Sequence, residues 1–409
     1  MNELTITPEI PAYGGLALGR LDGKAVFVKG AIPGETVQAR IDEEKKDYCT
    51  ATVTKVVEPS PDRVEPPCKY FGNCGGCQVQ YARYPQQVRM KEEVLATNLR
   101  RIARLEIPLS GSLTDREWNY RYRAQFKVDK DRIGFYRERS HEVIDIDACP
   151  LMADEVNTAL ANARPLISHA PLSEFHLSHG EASLALLKAP RGAKTDWKRL
   201  AEALIGTGIS GVVIDAEGRK PVFFGSSHIT LDLSGLIYTV SPLSFFQADW
   251  GLNRKVVSAM VDALRPLSGK KVFDLYSGAG NFSLPLAKEA QAVTGVEGNP
   301  HAVEDGRRNA RLNGITNCKF IRSDVDALDR AGRPDILVTD PPRTGLSGQA
   351  VEKIIALNPE QLAYLSCNPS TLARDLGRLS ARYEAETVRM IDFFPQTSHI
   401  EALAFLRRK

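Results

Sequence analysis

From the start of the chain to about position 57, apolar and polar residues alternate in short runs. GGLALGRLDG, KAVFVKGAIPGE, TVQARIDEEKKD and YCTATVTKVVEP each set β-branched against polar residues between Gly and Pro turns. Short, evenly spaced strands of this kind predict a small β-barrel. Pro59, Pro61, Pro66 and Pro67 then break the pattern. A helical period covers about residues 83–104, and residues 118–240 mix strands with helices near 153–166 and 195–205. From about 241 the pattern changes. KKVFDLYSGAG, AVTGVEGN, CKFIRSD, PDILVTDPP and QLAYLSCNP are short apolar runs, each ending in a polar or Gly/Pro turn, with helical stretches such as 300–313 and 348–357 between them. Strands alternating with helices predict a parallel sheet covered on both faces, an α/β unit. Three domains are expected: a barrel at 1–58, a mixed α+β unit at 59–240 and the α/β unit at 241–409.

Composition narrows this little. The chain has 409 residues, long enough for two to three domains. Its 43% apolar and 25% charged residues are ordinary globular values. No apolar run approaches the ~18 residues of a membrane span, and the first residues lack a signal-peptide pattern. A cytoplasmic protein without membrane association is expected. Net charge is only +3, so a case for nucleic acid must rest on local charge. Seven cysteines, unevenly clustered, point to metal or catalysis rather than disulfides in a reducing compartment.

Chemically distinctive residues fall at the ends of the expected α/β strands, where such sheets bind ligands. Gly278 and Gly280, after Asp274, permit a tight turn and a close backbone approach to a ligand. Glu297 ends the second strand, where a carboxylate can accept both ribose hydroxyls, and Asp324 ends the third, within reach of an adenine edge. An ordinary strand–helix turn gives the same pattern. A nicotinamide site is disfavoured because Ser283 replaces the third glycine of GxGxxG. Asp340 follows the fourth strand and precedes Pro341-Pro342, which stiffen a rim around it. Cys367 sits at a strand-to-helix turn, where a helix N-terminus would depress a thiol pKa. Glu401 opens the last strand, on the same sheet.

Two further features stand outside that unit. Cys68, Cys74 and Cys77, with Cys149 beyond them, make a four-thiol set that fits Zn or a [4Fe–4S] cluster equally. Residues 115–139 interleave Arg116, Arg121, Arg123, Lys127, Lys130, Arg132, Arg137 and Arg139 with Trp118, Tyr120, Tyr122, Phe126, Phe135 and Tyr136. Cations with aromatic faces suit single-stranded RNA. A strand pair with one core face and one solvated face fits as well.

Together, DLYSGAGNFSLPLA, VEGNP, DPPRTGL, YLSCNPSTLARDL and SHIE resemble the RNA uridine-C5 methyltransferases of bacterial tRNA and 23S ribosomal RNA. The N-terminal strands are similar to a TRAM RNA-binding domain. The resemblance implies a Rossmann-like class I methyltransferase domain and S-adenosyl-L-methionine as cofactor. It implies Cys367 as nucleophile at carbon 6, Glu401 as base and Asp340 at the target base beside the cofactor. It places Gln247, Tyr276, Gly278, Gly280, Asn281, Glu297, Asp324 and Asp340 at the cofactor. Asp249 stands where members often carry Asn. For Cys68, Cys74, Cys77 and Cys149 it implies [4Fe–4S]. It favours 23S rRNA over tRNA as the RNA partner, and a monomer is expected. The competing expectations are a non-catalytic RNA-binding or folding factor and a redox iron–sulfur protein.

Overall fold

The computed structural model describes residues 3–327 and 332–409. Six strands form the N-terminal unit, in the order Glu3–Ile6, Thr36–Glu44, Tyr48–Glu58, Lys24–Lys29, Leu16–Leu21, Ile10–Ala12. Alternation puts Ala17, Val26, Val28, Val37, Ala39 and Ala51 inside. The sheet curls until its first strand lies across Leu16–Leu21. A Cβ on Gly19 would sit 2.9 Å from Ile6 Cδ1 and 3.0 Å from Pro8 Cα, so only glycine admits that approach.

A seven-stranded sheet follows, in the order Val143–Asp145, Arg132–Tyr136, Arg123–Asp129, Glu174–His179, Ser183–Ala189, Gly211–Ala216, Val222–Gly225. Helices Asp154–Ile167 and Trp197–Ile205 pack on it, burying Leu160 and Leu204 with Phe126, Phe175 and Leu187. Both lie where the periodicity predicts them.

The third sheet has eight strands: Cys318–Arg322, Ala292–Glu297, Lys271–Leu275, Ile336–Thr339, Gln361–Ser366, Glu401–Arg408, Tyr383–Ile391 and Leu109–Leu113. Only Glu401–Arg408 runs antiparallel to its neighbours. The chain order reverses between Lys271–Leu275 and Ile336–Thr339. A crevice therefore opens beyond their carboxyl ends.

Packing cuts across the expected units. Helix Tyr84–Asn98, its π-helical continuation Leu99–Ala103 and strand Leu109–Leu113 belong with the third sheet, not with the 59–240 unit. Val94, Leu95 and Leu99 bury against Leu376, Val388 and Met390, and Leu109 pairs with Val388. An amphipathic stripe shows that a helix needs cover, not which partner supplies it. Likewise the hairpin Ile229–Leu233/Leu236–Val240 docks on helix Pro300–Leu312. Thr239 N donates to Asn309 Oδ1 at 2.8 Å, and Ile237 N to Asn313 Oδ1 at 2.8 Å. No helix among the described residues is long and apolar enough to cross a membrane.

Candidate active site

The crevice is a cleft of about 1090 Å³ whose walls include Gln247, Tyr276, Gly278, Glu297, Asp340, Cys367 and Glu401. Its floor begins at the turn after Lys271–Leu275. Tyr276 has φ +61°, an uncommon conformation for a bulky residue. Gly278, at φ +53°, leaves its Cβ direction open, 4.0 Å from the nearest atom, Phe245 O. Gly280 serves packing instead: a Cβ there would lie 2.9 Å from Phe320 Cζ. The Glu297 carboxylate is held by Gly278 N at 3.0 Å and Asn299 N at 2.6 Å. Asn299 in turn caps helix Pro300–Leu312 through His301 N at 2.9 Å.

Two expected cofactor residues sit differently. Asn281 exchanges amide hydrogen bonds with Asn253, at 2.8 and 3.0 Å, and so braces the glycine turn against helix Trp250–Leu264 rather than walling the cleft. Asp324 lies two residues past the end of its strand, exposed, with Oδ1 3.0 Å from where a Cβ on Gly298 would be. It flanks the Glu297 turn without walling the cleft. Asp249, the departure from the family pattern, caps helix Trp250–Leu264 by accepting from Leu252 N at 2.9 Å. Burial pushes its carboxyl up to about 6.

Register brings the reactive groups together. Ser366 pairs with Ala402 across antiparallel strands, so Cys367 and Glu401 follow at neighbouring strand ends. Thr339 pairs with Tyr364, which brings Asp340 to the same edge. Asn368 turns the chain into helix Pro369–Leu379, accepting from Ser370 N at 2.9 Å. The 340–346 loop is stapled to that helix by buried Asp375, which accepts from Leu346 N and Tyr364 Oη, each at 2.8 Å. Gly345, at φ +72°, passes so close that a Cβ would sit 2.4 Å from Asp375 Oδ2.

The electrostatics of the cleft are those of crowded acids. Glu401 is 6% exposed, and its carboxyl is raised well above the usual range by burial, then by Asp340 and Asp392. Burial and Asp274 push Asp340 up to about 8. The expectation of a lowered Cys367 thiol is reversed. Burial, then Glu401 and Asp340, push it up to about 11, against a smaller opposing effect of Arg343. Desolvation and two nearby acids outweigh the helix N-terminus. Arg343 and His399 (3.5 Å between Nη2 and Nε2) also wall the cleft, though sequence reading did not single them out. Both lie inside the DPPRTGL and SHIE motifs, which were the available signal. Burial pushes His399 down to about 4, assisted by Arg343.

Cys68, Cys74, Cys77 and Cys149 line one cavity of about 570 Å³. Burial pushes Cys77 up to about 12 and Cys149 up to about 11. Among the described residues no three His, Cys, Asp or Glu side chains are gathered closely enough to hold a metal ion as they stand. A zinc shell, with Zn–S of about 2.3 Å, would draw four sulfurs tightly together.

The 115–139 segment departs from its RNA-binding expectation. Tyr120 and Phe126 are fully buried, Phe135 packs against the same core as Phe126, and Tyr122 stacks on Trp250. Arg123 is bonded to Ser244 O and Pro242 O, Lys127 pairs with Glu174, and Arg137 with Glu142. The alternation is that of a strand pair whose aromatic face is core. Of the cysteines outside any motif, Cys49 is buried as expected, while Cys318 is only half-buried.

Comparison with known proteins agrees with this geometry. Residues 83–334 and 328–409 match the family described as tRNA (Uracil-5-)-methyltransferase, and residues 3–54 match the TRAM domain. A protein of Aquifex aeolicus (strain VF5), named as an uncharacterized RNA methyltransferase, is 37% identical, with 99% of each chain covered. The 23S rRNA (uracil(1939)-C(5))-methyltransferase RlmD of Shewanella amazonensis is 32% identical, with 95% of this chain and 92% of that one covered. Among solved structures, the Pyrococcus abyssi tRNA (uracil-54, C5)-methyltransferase in complex with S-adenosyl-L-homocysteine superposes with a TM-score of 0.77. The two are 25% identical, and 98% of this chain and 100% of that one are covered.

Proposed function

This chain belongs to the tRNA (uracil-5-)-methyltransferase family of S-adenosylmethionine-dependent RNA uracil-C5 methyltransferases, and from that premise we propose that it methylates a uridine of 23S rRNA through a covalent Cys367 adduct. The observation that carries the reading is the meeting of Cys367 and Glu401 at adjacent strand ends, in the same cleft as Gln247, Tyr276, Gly278 and Glu297. Those last four, with Asp340, would hold the cofactor, and S-adenosylmethionine would supply the methyl group as an electrophile.

Carbon 5 of uracil is a weak nucleophile. Addition of the Cys367 thiolate to carbon 6 makes it an enolate carbon able to attack the methyl group. Glu401 then takes the carbon-5 proton, and elimination breaks the Cys–C6 bond with its electron pair on sulfur, returning the thiolate. A carboxylate kept desolvated at the bottom of the cleft has its basicity raised for that task. Asp340, at the rim, suits a hydrogen bond to the uracil edge. The target base must leave its stack to reach Cys367. A [4Fe–4S] cluster would be held by Cys68, Cys74, Cys77 and Cys149, whose side chains line one cavity. It would tie the 68–77 loop to residue 149 without taking part in methyl transfer.

The test offers labelled S-adenosylmethionine with unmodified 23S rRNA and tRNA to anaerobically purified protein and identifies the product nucleoside by mass spectrometry. 5-Methyluridine in 23S rRNA is expected. Its appearance in tRNA alone would favour the second reading, which the Pyrococcus abyssi neighbour supports. Glu401→Gln is expected to leave an RNA–protein adduct stable on denaturing gels. Cys367→Ala is expected to abolish both transfer and adduct.

A further inference from the structure

The barrel meets the catalytic unit along strand Ile10–Ala12, beside helix Tyr84–Asn98, and at the turn that follows the strand. Strand Ile10–Ala12 ends in Tyr13-Gly14-Gly15, with Gly14 at φ +94° and Gly15 at φ +76°. The tip is pressed onto the segment that leads into Glu401. A Cβ on Gly15 would lie 3.0 Å from Gln78 Cβ and 3.4 Å from Ser398 Cβ. Thr397, Ser398 and Ile400 share a crevice with Tyr13.

Tyr13 itself is 42% exposed. It has no hydrogen bond and no ring partner among the described residues, although Gly15 beside it is tightly packed. Thr397, Ser398 and Ile400, neighbours of Tyr13 in that crevice, flank His399 and Glu401, which wall the catalytic cleft, so the turn lies against the outer side of the cleft's own segment; burial raises the Tyr13 phenol, with Arg343 opposing. On its other side Tyr13 borders a groove of about 640 Å³ between the barrel and helix Tyr84–Asn98. Phe27, Asn98, Arg101 and Ile102 wall this groove. Arg100, Arg101 and Arg343 are exposed and have no carboxylate partner among the described residues. In the 115–139 segment, four of the eight cations, Arg123, Lys127, Arg132 and Arg137, are spent on ion pairs and backbone carbonyls.

We propose that Tyr13 stacks on the base next to the target uridine, and that the groove behind it takes the flanking single strand with Arg101 and Arg343 on its phosphates. The inference rests on the RNA methyltransferase reading. Extruding a uridine leaves its neighbour with one bare face. An unpartnered aromatic ring held by a rigid turn covers that face without sequence preference. Unpaired arginines on either side neutralise the backbone as it passes. The barrel thus contributes a side chain to the reacting complex, beyond any general affinity for RNA.

The test compares full-length wild type, Tyr13→Ala and Tyr13→Phe. It measures KM for unmodified 23S rRNA and tRNA, kcat, and the Kd for S-adenosylmethionine. In parallel, a single-stranded RNA carrying 4-thiouridine is photo-crosslinked to wild type and the attachment peptide mapped. Loss of one stacked base is expected to raise the Tyr13→Ala KM for RNA roughly tenfold, with cofactor Kd unchanged and Tyr13→Phe within about twofold of wild type. The crosslink is expected at Tyr13. An unchanged KM in Tyr13→Ala would overturn the stacking role, as would Tyr13→Phe failing as badly as Tyr13→Ala. RNA attached at Tyr13 to a wild type that transfers no methyl group would keep the stacking role and remove the enzymatic reading. RNA bound elsewhere would remove the stacking role alone.

Discussion

Cys367 is legible in the sequence as a nucleophile candidate, but its ionisation is not. Placement before a helix argues for a lowered thiol pKa, whereas burial beside Glu401 and Asp340 raises it to about 11. A strand-end position can be inferred from pattern; the number of carboxylates facing it comes from two other strands and cannot. The consequence is testable in the free protein. Only the thiolate alkylates, so the rate at Cys367 should climb about tenfold per pH unit from 7 to 10, without levelling near 9 as a surface thiol would. Mass spectrometry of the Cys367 peptide after timed iodoacetamide exposure measures this. A plateau below pH 9 would mean that the cleft does not hold the thiol protonated. Asn281 and Gly280 show the opposite limit. Both belong to a recognisable motif, yet one braces a helix and the other accommodates Phe320. Membership of a motif says that a residue is required, not which neighbour requires it.

At the scale of elements, the helices predicted at 153–166, 195–205, 300–313 and 348–357 match Asp154–Ile167, Trp197–Ile205, Pro300–Leu312 and Gly348–Leu357 closely. The signals there are local: a 3.6-residue stripe and a capping or proline start. The staple between the 340–346 loop and helix Pro369–Leu379 escapes such reading, because Gly345 and Asp375 are 30 residues apart and each is unremarkable alone. Gly345→Ala puts a Cβ both in a left-handed conformation and 2.4 Å from Asp375 Oδ2. The conformation alone costs about 1–2 kcal/mol. Urea unfolding should therefore show at least that loss, with methyl transfer falling further as Asp340 shifts. Stability equal to wild type would show that the loop is not held through Asp375. The aromatic–basic pattern at 115–139 fails for a related reason. Period two places Ala124, Phe126 and Val128 on one face but does not say that two helices cover that face.

For the whole molecule, the N-terminal strand unit and the α/β sheet are readable from pattern and turns, but the interleaving of the segments between them is not. Backbone bonds from Gln78 and Val79 to Gln396 O join the stretch just after the cysteine loop to the segment preceding His399 and Glu401. Buried Lys91 pairs with Asp392 at 2.7 Å. A cluster at Cys68, Cys74, Cys77 and Cys149 would stiffen this brace. Anaerobically purified protein is accordingly expected to carry about four irons and matching sulfide, and Cys149→Ser to lose them with earlier thermal unfolding. Stoichiometric zinc in place of iron would overturn the cluster assignment.

The strand Leu109–Leu113 has a further bearing, on the order in which the chain is made. Its partner in the sheet, Tyr383–Ile391, emerges from the ribosome only after about 280 more residues, because Leu109 pairs with Val388. At 5–20 residues per second, that is roughly 15–55 s of synthesis. Throughout that interval the apolar side of Tyr84–Asn98, including Val94 and Leu95, lacks the surface that finally covers it. A nascent chain of this topology passes through a long stage with its barrel complete and its central helix bare. During that stage it is a candidate for chaperone capture, and a ribosome stalled before residue 383 would hold the chain there.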